Sequence, residues 1–179
     1  MKNKLIFALL IFLTSGIYSC SKLHDMNEPN DPEVEYSVVW PLAGEWYVTY
    51  KFADEDGVID DWYGVGYTKL YTYNTANQDN DKFWISDGTN FWIYTVKSPC
   101  NVGNRTFGGD SLVSTADNDG ELYDIKVNIK NGKVIENGGH STSGVVTDSI
   151  YFEVEFEDDP GTIYYCAGTR KTGFLEDEH

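Results

Sequence analysis

Three stretches of this chain place large apolar residues at every second position, and that period constrains the fold more than any other feature. In 44–52, Trp46, Val48, Tyr50 and Phe52 share one parity, while Glu45, Thr49 and Lys51 share the other. In 122–130, Tyr123, Ile125, Val127 and Ile129 alternate with Leu122, Asp124, Lys126, Asn128 and Lys130. In 148–157, Ile150, Phe152, Val154 and Phe156 do the same. Period two puts each set on one face of a pleated strand, whereas a helix would scatter it around the axis. The residue types agree, because 13 Tyr, 9 Phe and 5 Trp are surplus for 179 residues, and aromatic rings favour half-buried strands.

Further strands are read between turn signals. The segment 62–73 is rich in Tyr and Thr and carries Gly64 and Gly66, which mark a bend. Segments 82–86 and 91–97 flank Asp87-Gly88-Thr89-Asn90 and read as a hairpin. Segment 106–114 is a weaker strand. Asn131-Gly132 directly follows 122–130 and predicts a type I′ hairpin turn with a return strand at 133–136. Residues 137–144 read as a Gly- and Ser-rich loop, Asp158-Asp159-Pro160-Gly161 as a tight turn, and 162–170 as the last strand. The result is about eight or nine short strands joined mainly as hairpins, with no amphipathic helix of three turns. Such a pattern folds as a sandwich or an up-and-down barrel, and its meander connectivity favours an antiparallel β-barrel.

Residues 1–19 read as a signal peptide. Lys2 and Lys4 precede an apolar run from Leu5 to Leu13 that is too short to span a bilayer. The run leads to Ile17-Tyr18-Ser19-Cys20, close to a bacterial lipobox, so Cys20 is the expected lipidation site, carrying acyl chains such as palmitate. Residues 20–40 then form the lipidated cysteine and a flexible polar tether around Pro29 and Pro32, and 41–179 the folded domain. The expected location is the cell envelope, at the outer membrane. No acidic run follows Cys20, which favours the periplasmic face.

Net charge is −16, from 29 acidic and 13 basic residues. That excludes nucleic acid and anionic lipid surfaces as partners. The protein is expected to be a monomer. Cys100 and Cys166 form an even pair in an exported chain and are a candidate disulfide.

Catalytic and metal signatures fall short. The histidines, His24, His140 and His179, lack zinc spacing. Asn77, Asp79 and Asp81, and Thr115, Asp117, Asp119 and Gly120, hint at calcium loops. However, Lys82 stands where the first needs glycine and Lys126 where the second needs a bidentate Glu. His140 with Ser141 or Ser143 is the one cluster suggesting a nucleophile and base, but no Gly-x-Ser-x-Gly elbow occurs and a flexible loop explains it better. No catalytic residue, metal or cofactor is assigned. Asp110-Ser111-Leu112 and Asp148-Ser149-Ile150 resemble short O-glycosylation acceptors.

Gly44-x-Trp46 opens the first strand and Arg170 sits in the last. This resembles the lipocalin pattern, in which the arginine stacks over the tryptophan and closes one barrel end. Leu42-Ala43-Gly44-Glu45-Trp46-Tyr47-Val48 and Gly168-Thr169-Arg170-Lys171-Thr172-Gly173-Phe174-Leu175 further resemble exported lipoproteins catalogued as lipid-binding putative hydrolases. The resemblance implies a lipocalin-like barrel that holds a ligand. Strand parity nominates Val48, Tyr50, Phe52, Trp84, Trp92, Phe152, Phe156 and Tyr165 as pocket residues. The leading expectation is a membrane-anchored, non-catalytic lipoprotein that binds a small, lipid-like hydrophobic ligand. The alternatives are a packed-barrel accessory module for a protein or glycan, and a hydrolase of unknown substrate.

Overall fold

The computed structural model describes residues 35–53, 56–61 and 63–179. The expected signal peptide, Cys20, most of the expected tether, Asp54-Glu55 and Trp62 lie outside the described residues.

Eleven strands follow one another, with no α-helix among the described residues. They are β1 (Gly44–Ala53), β2 (Ile59–Asp60), β3 (Thr68–Tyr73), β4 (Lys82–Ser86), β5 (Thr95–Asn101), β6 (Thr106–Val113), β7 (Ala116–Asn118), β8 (Glu121–Tyr123), β9 (Lys126–His140), β10 (Val146–Phe156) and β11 (Asp159–Arg170). Eight of them form an antiparallel meander in the order β1, β3, β4, β5, β6, β9, β10, β11. β11 pairs back onto β1 from Trp46↔Arg170 to Phe52↔Tyr164, so the sheet closes into a lipocalin-like barrel. Closure removes the unpaired edges that an open sheet would present. β2 pairs antiparallel with the last two residues of β1, and β7 and β8 form a separate small hairpin.

Alternation decides which side chains enter. Trp46, Val48 and Tyr50 of β1, Phe83 and Ile85 of β4, Val127 and Ile129 of β9, Ile150 to Phe156 at every second position of β10, and Tyr164 and Cys166 of β11 are buried together. One end is shut by the 3-10 turn Trp40–Leu42, whose Leu42 and the preceding Val39 are fully buried. The packed body therefore reaches back before Pro41. At the same end the Trp46 indole N–H donates to Thr72 Oγ1 at 2.8 Å, and that hydroxyl donates to the Leu42 carbonyl at 2.7 Å. The Arg170 guanidinium carbon lies 4.7 Å from the Trp46 ring centroid. Arg170 also donates to the Ala43 carbonyl at 2.6 Å and pairs with Asp148 at 3.1 Å.

Several sequence expectations need correction. Asn131-Gly132 is not a hairpin turn, because β9 runs unbroken from Lys126 to His140. Asn131 (φ 56°) and Gly132 instead form a bulge opposite β10, where Tyr151 pairs with Lys133 and Glu153 with Lys130. A Cβ on Gly132 would run into the Phe107 ring of β6, so the same dipeptide that suits a turn here admits a neighbouring side chain. Residues 137–140 belong to β9, and the reversal lies at 141–145. The strand expected over 62–73 starts only at Thr68, and the one expected over 91–97 starts at Thr95. The last reversal falls at 157–158, with Pro160 and Gly161 already within β11.

Cys100 and Cys166 are both free thiols, not a disulfide. Their strands, β5 and β11, lie on opposite sides of the ring of eight, with three strands between them either way round. The side-chain-filled interior separates them, whereas a disulfide needs Cα atoms within about 7 Å.

Candidate ligand-binding mouth

The end opposite Trp46 is where β1 finishes and β11 begins, and it is covered by loop 87–94 between β4 and β5. The base of that loop is held by the Asp87 N–H, which donates to the Tyr94 carbonyl at 3.1 Å. Its tip is pinned to β3 by the Asn90 side-chain amide, donating to the Lys69 carbonyl at 2.9 Å.

The loop is organised around the buried Asp87 carboxylate. It accepts from the N–H groups of Phe91 at 2.8 Å and Trp92 at 3.0 Å, and from the Tyr50 hydroxyl at 3.3 Å. The Tyr50 and Tyr94 hydroxyls share a hydrogen bond of 3.0 Å, and the Cys166 thiol meets the Tyr50 hydroxyl beneath them. Burial raises the pKa of Asp87 to about 6, while the Phe91 and Trp92 N–H groups draw it back down. Burial is also the main reason that the Tyr50 and Tyr94 phenols and the Cys166 thiol titrate well above their ordinary values.

By bonding two successive N–H groups, Asp87 turns the next two side chains into the barrel. Phe91 stacks on Tyr50 with centroids 4.2 Å apart and meets Tyr164 edge-on at 5.2 Å. Trp92 lies flat on Phe156 at 4.6 Å. Phe52, Tyr63 and Tyr164 continue the aromatic wall, with Phe52 5.2 Å from Tyr63 and 5.9 Å from Tyr164. Phe91 and Trp92 thus form an aromatic plug in the barrel mouth, and both remain only half-buried. Beside the plug a cavity of about 230 Å³ is lined by Phe91, Trp92, Ile93, Asn118, Tyr123 and Asp158. Val58, Ile59, Leu122 and Ile163 stand exposed on the segments that reach this end.

The nominated pocket residues divide into two groups. Val48, Tyr50, Phe152 and Phe156 point inward and are buried, and Phe52 is partly buried near the mouth. Trp92 also reaches the mouth, from the loop and not from a strand. Trp84 does not belong to the pocket: it faces outward, under the Lys97 ammonium at 4.8 Å, while Phe83 and Ile85 point in. Tyr165 is likewise outward, in register with Lys51 and Glu153, and Tyr164 takes the inward place. Both errors arise where two adjacent residues are aromatic, and at Trp84 the parity of Lys82 and Ser86 marks the outward face. Phe91 and Asp87 were missed as site residues because the run after β4 reads as a turn followed by a strand. The available signal was an acid four residues ahead of an aromatic-rich segment, the spacing at which a carboxylate can accept from backbone N–H groups of a turn.

His140, Ser141 and Ser143 do not assemble a nucleophile and base. The two serine hydroxyls bond each other at 3.1 Å, and Ser143 donates to Asp177 from its hydroxyl at 2.9 Å and its N–H at 2.6 Å. Among the described residues no hydrogen bond joins His140 to either serine. The carboxyl-terminal tail clasps this turn and the outer face of β1. The Tyr47 hydroxyl donates to Glu178, Thr142 meets His179 Nε2 at 3.2 Å, and the His179 ring stacks on Tyr67 at 4.2 Å. At the closed end a second cavity, of about 330 Å³, is bordered by Trp40, Arg105, Glu136, Asp148 and Arg170.

An eight-stranded barrel shut at one end by a turn and an Arg–Trp stack, with an aromatic-lined mouth at the other, defines a lipocalin-like protein. The chain belongs to the lipid-binding putative hydrolase family, whose model matches residues 31–175. No curated protein matches the chain.

Proposed function

We propose that this protein is a non-catalytic carrier or sensor that takes up a small hydrophobic ligand through the mouth, displacing Phe91 and Trp92 from the barrel. The observation that carries this reading is the plug itself. Two large rings occupy the mouth, held by a loop and not by the wall strands, and stack on Tyr50 and Phe156. Side chains held by one short loop are released more readily than wall residues whose backbone is paired on both sides. Apolar chain entering in their place would meet a surface of aromatic rings already dry. Membership of a lipid-binding family supports the same reading.

The lipobox-like segment ending at Cys20 supports attachment to the envelope membrane, at the periplasmic face, with the barrel a monomer on its tether. A second reading is favoured by the filled interior and by the closed-end cavity with its exposed Trp40: a packed accessory module that holds a glycan or protein.

Native mass spectrometry with a single-chain amphiphile below its micelle concentration separates the two readings. A one-to-one adduct that Trp92→Ala alters supports ligand uptake. A bare mass at every concentration overturns it in favour of the accessory module.

A further inference from the structure

We infer that the ligand is a single-chain amphiphile whose head donates a hydrogen bond, an alcohol or an amine and not a carboxylate, with Asp87 as its acceptor. This rests on the reading of the mouth as the ligand site.

What remains when the plug leaves selects the head group. Asp87 sits at the base of the loop, tied to Tyr94 by its own N–H, and the tip carries Phe91 and Trp92. Moving the tip withdraws two of the donors that bond the carboxylate, the Phe91 and Trp92 N–H groups. The Tyr50 hydroxyl stays, shared with Tyr94. The groups facing Asp87 are Tyr50 from β1, Tyr94, Phe91, Trp92 and Asn90 from the loop, and Cys166 from β11. Among the described residues no lysine, arginine or histidine pairs with it. An acceptor left short of donors in a dry site is unfavourable until something donates to it. A hydroxyl or ammonium head restores what the plug took away. A carboxylate head brings a second negative charge and no donor into a site without a cation. With the plug in place the pKa of Asp87 is about 6, so at pH 7.5 the carboxylate is ionised before the ligand enters.

The test uses the full chain at pH 7.5 with four ten-carbon probes: decanol, its methyl ether, decylammonium and decanoate. Decanol against its methyl ether is the decisive pair, because net charge of −16 would favour the cation and disfavour the anion anywhere on the surface. Decanol is expected to bind about tenfold more tightly than the ether. In Asp87→Asn, which keeps an acceptor and removes the charge, decanoate should gain about tenfold while decanol changes little. Equal binding of decanol and its ether, or decanoate affinity unmoved by Asp87→Asn, overturns the inference and leaves the mouth as the ligand site. Failure of all four probes to bind overturns both. The comparison of decanol with the ether needs no variant and survives if Asp87→Asn does not fold.

Discussion

The Trp92 indole lies on the Phe156 ring with the two planes 2° apart and centroids 4.6 Å apart, although the residues share no strand pairing. One ring belongs to a loop and the other to β10, so this stack measures whether the mouth is shut. Trp92→Ala should lower stability by about 1–3 kcal/mol, less than a fully buried tryptophan because the ring is only half-buried. It should also raise binding of a hydrophobic dye at the mouth. Denaturant unfolding and dye titration read the two effects. Lost stability without added dye binding would mean that the loop collapses into the space.

Asp87 gives the stability a pH dependence of unusual sign for a carboxylate. Its folded pKa, about 6, lies above the unfolded value of 3.8, so the folded state binds the proton more tightly. The contribution to stability is fully present below pH 3.8 and is lost as pH rises through 6. Between pH 7 and pH 4 this group should add stability on acidification, of order 3 kcal/mol at most. Asp87→Asn should flatten that rise when the two proteins are unfolded in parallel across the range.

Asp177 behaves oppositely. Burial alone would raise its pKa, but the Thr172 hydroxyl and the N–H and hydroxyl of Ser143 outweigh it, drawing the value to about 2. Its contribution is present above pH 4 and lost as pH falls toward 2. Asp177→Asn should release the tail from turn 141–145. The Ser143 amide, which donates to that carboxylate, should then exchange hydrogen faster while core amides of β9 and β10 do not change.

Gly168 faces β1 at the closing seam. A Cβ there would press into the Tyr47 carbonyl and come within 2.6 Å of Val48 Cα, both backbone atoms. Gly168→Ala should therefore cost about 3 kcal/mol or more by prying β1 from β11. Gly173→Ala, which meets nothing within 4 Å, should be close to neutral. Thermal unfolding of the pair provides the comparison.

The free thiols give a chemical check. Alkylation after unfolding, with no reductant, should modify both Cys100 and Cys166, and peptide mapping should find no bridge between them. In the native state both should react slowly. Cys166 is buried, and burial together with the nearby Asp81 raises Cys100 to about 11.

What could be read from the sequence divides along physical lines. Regular alternation in β1 and β10 identified inward residues correctly, because Trp46, Val48, Ile150, Phe152 and Val154 each stand between polar or exposed neighbours or continue an unbroken parity. Trp84 was misplaced although the flanking Lys82 and Ser86 share its parity and mark the outward face, and Tyr165 was misplaced because Tyr164-Tyr165-Cys166 offers no polar neighbour to set the phase. Asn131-Gly132 misled because positive φ serves a bulge as well as a turn, and only the Phe107 ring across the sheet distinguishes them. The Arg170–Trp46 stack followed from short motifs at the two ends of the fold, while the Asp87 plug depends on loop geometry that has no period. A disulfide was expected from cysteine number, which carries no information about which walls of a barrel the two residues occupy.

The closing seam also dictates when this molecule can finish folding. The Ala43 carbonyl and the guanidinium that caps it are 127 residues apart in the chain. No shorter fragment can satisfy both sides of β1, so a nascent chain lacking β11 exposes two open strand edges at once. Contacts this distant make assembly slow, on the millisecond-to-second scale of all-β domains. Any interruption before the last strand leaves a species prone to pair with its neighbours. Truncation from the carboxyl end should therefore act as a switch between a soluble product and an aggregate, with the threshold inside β11.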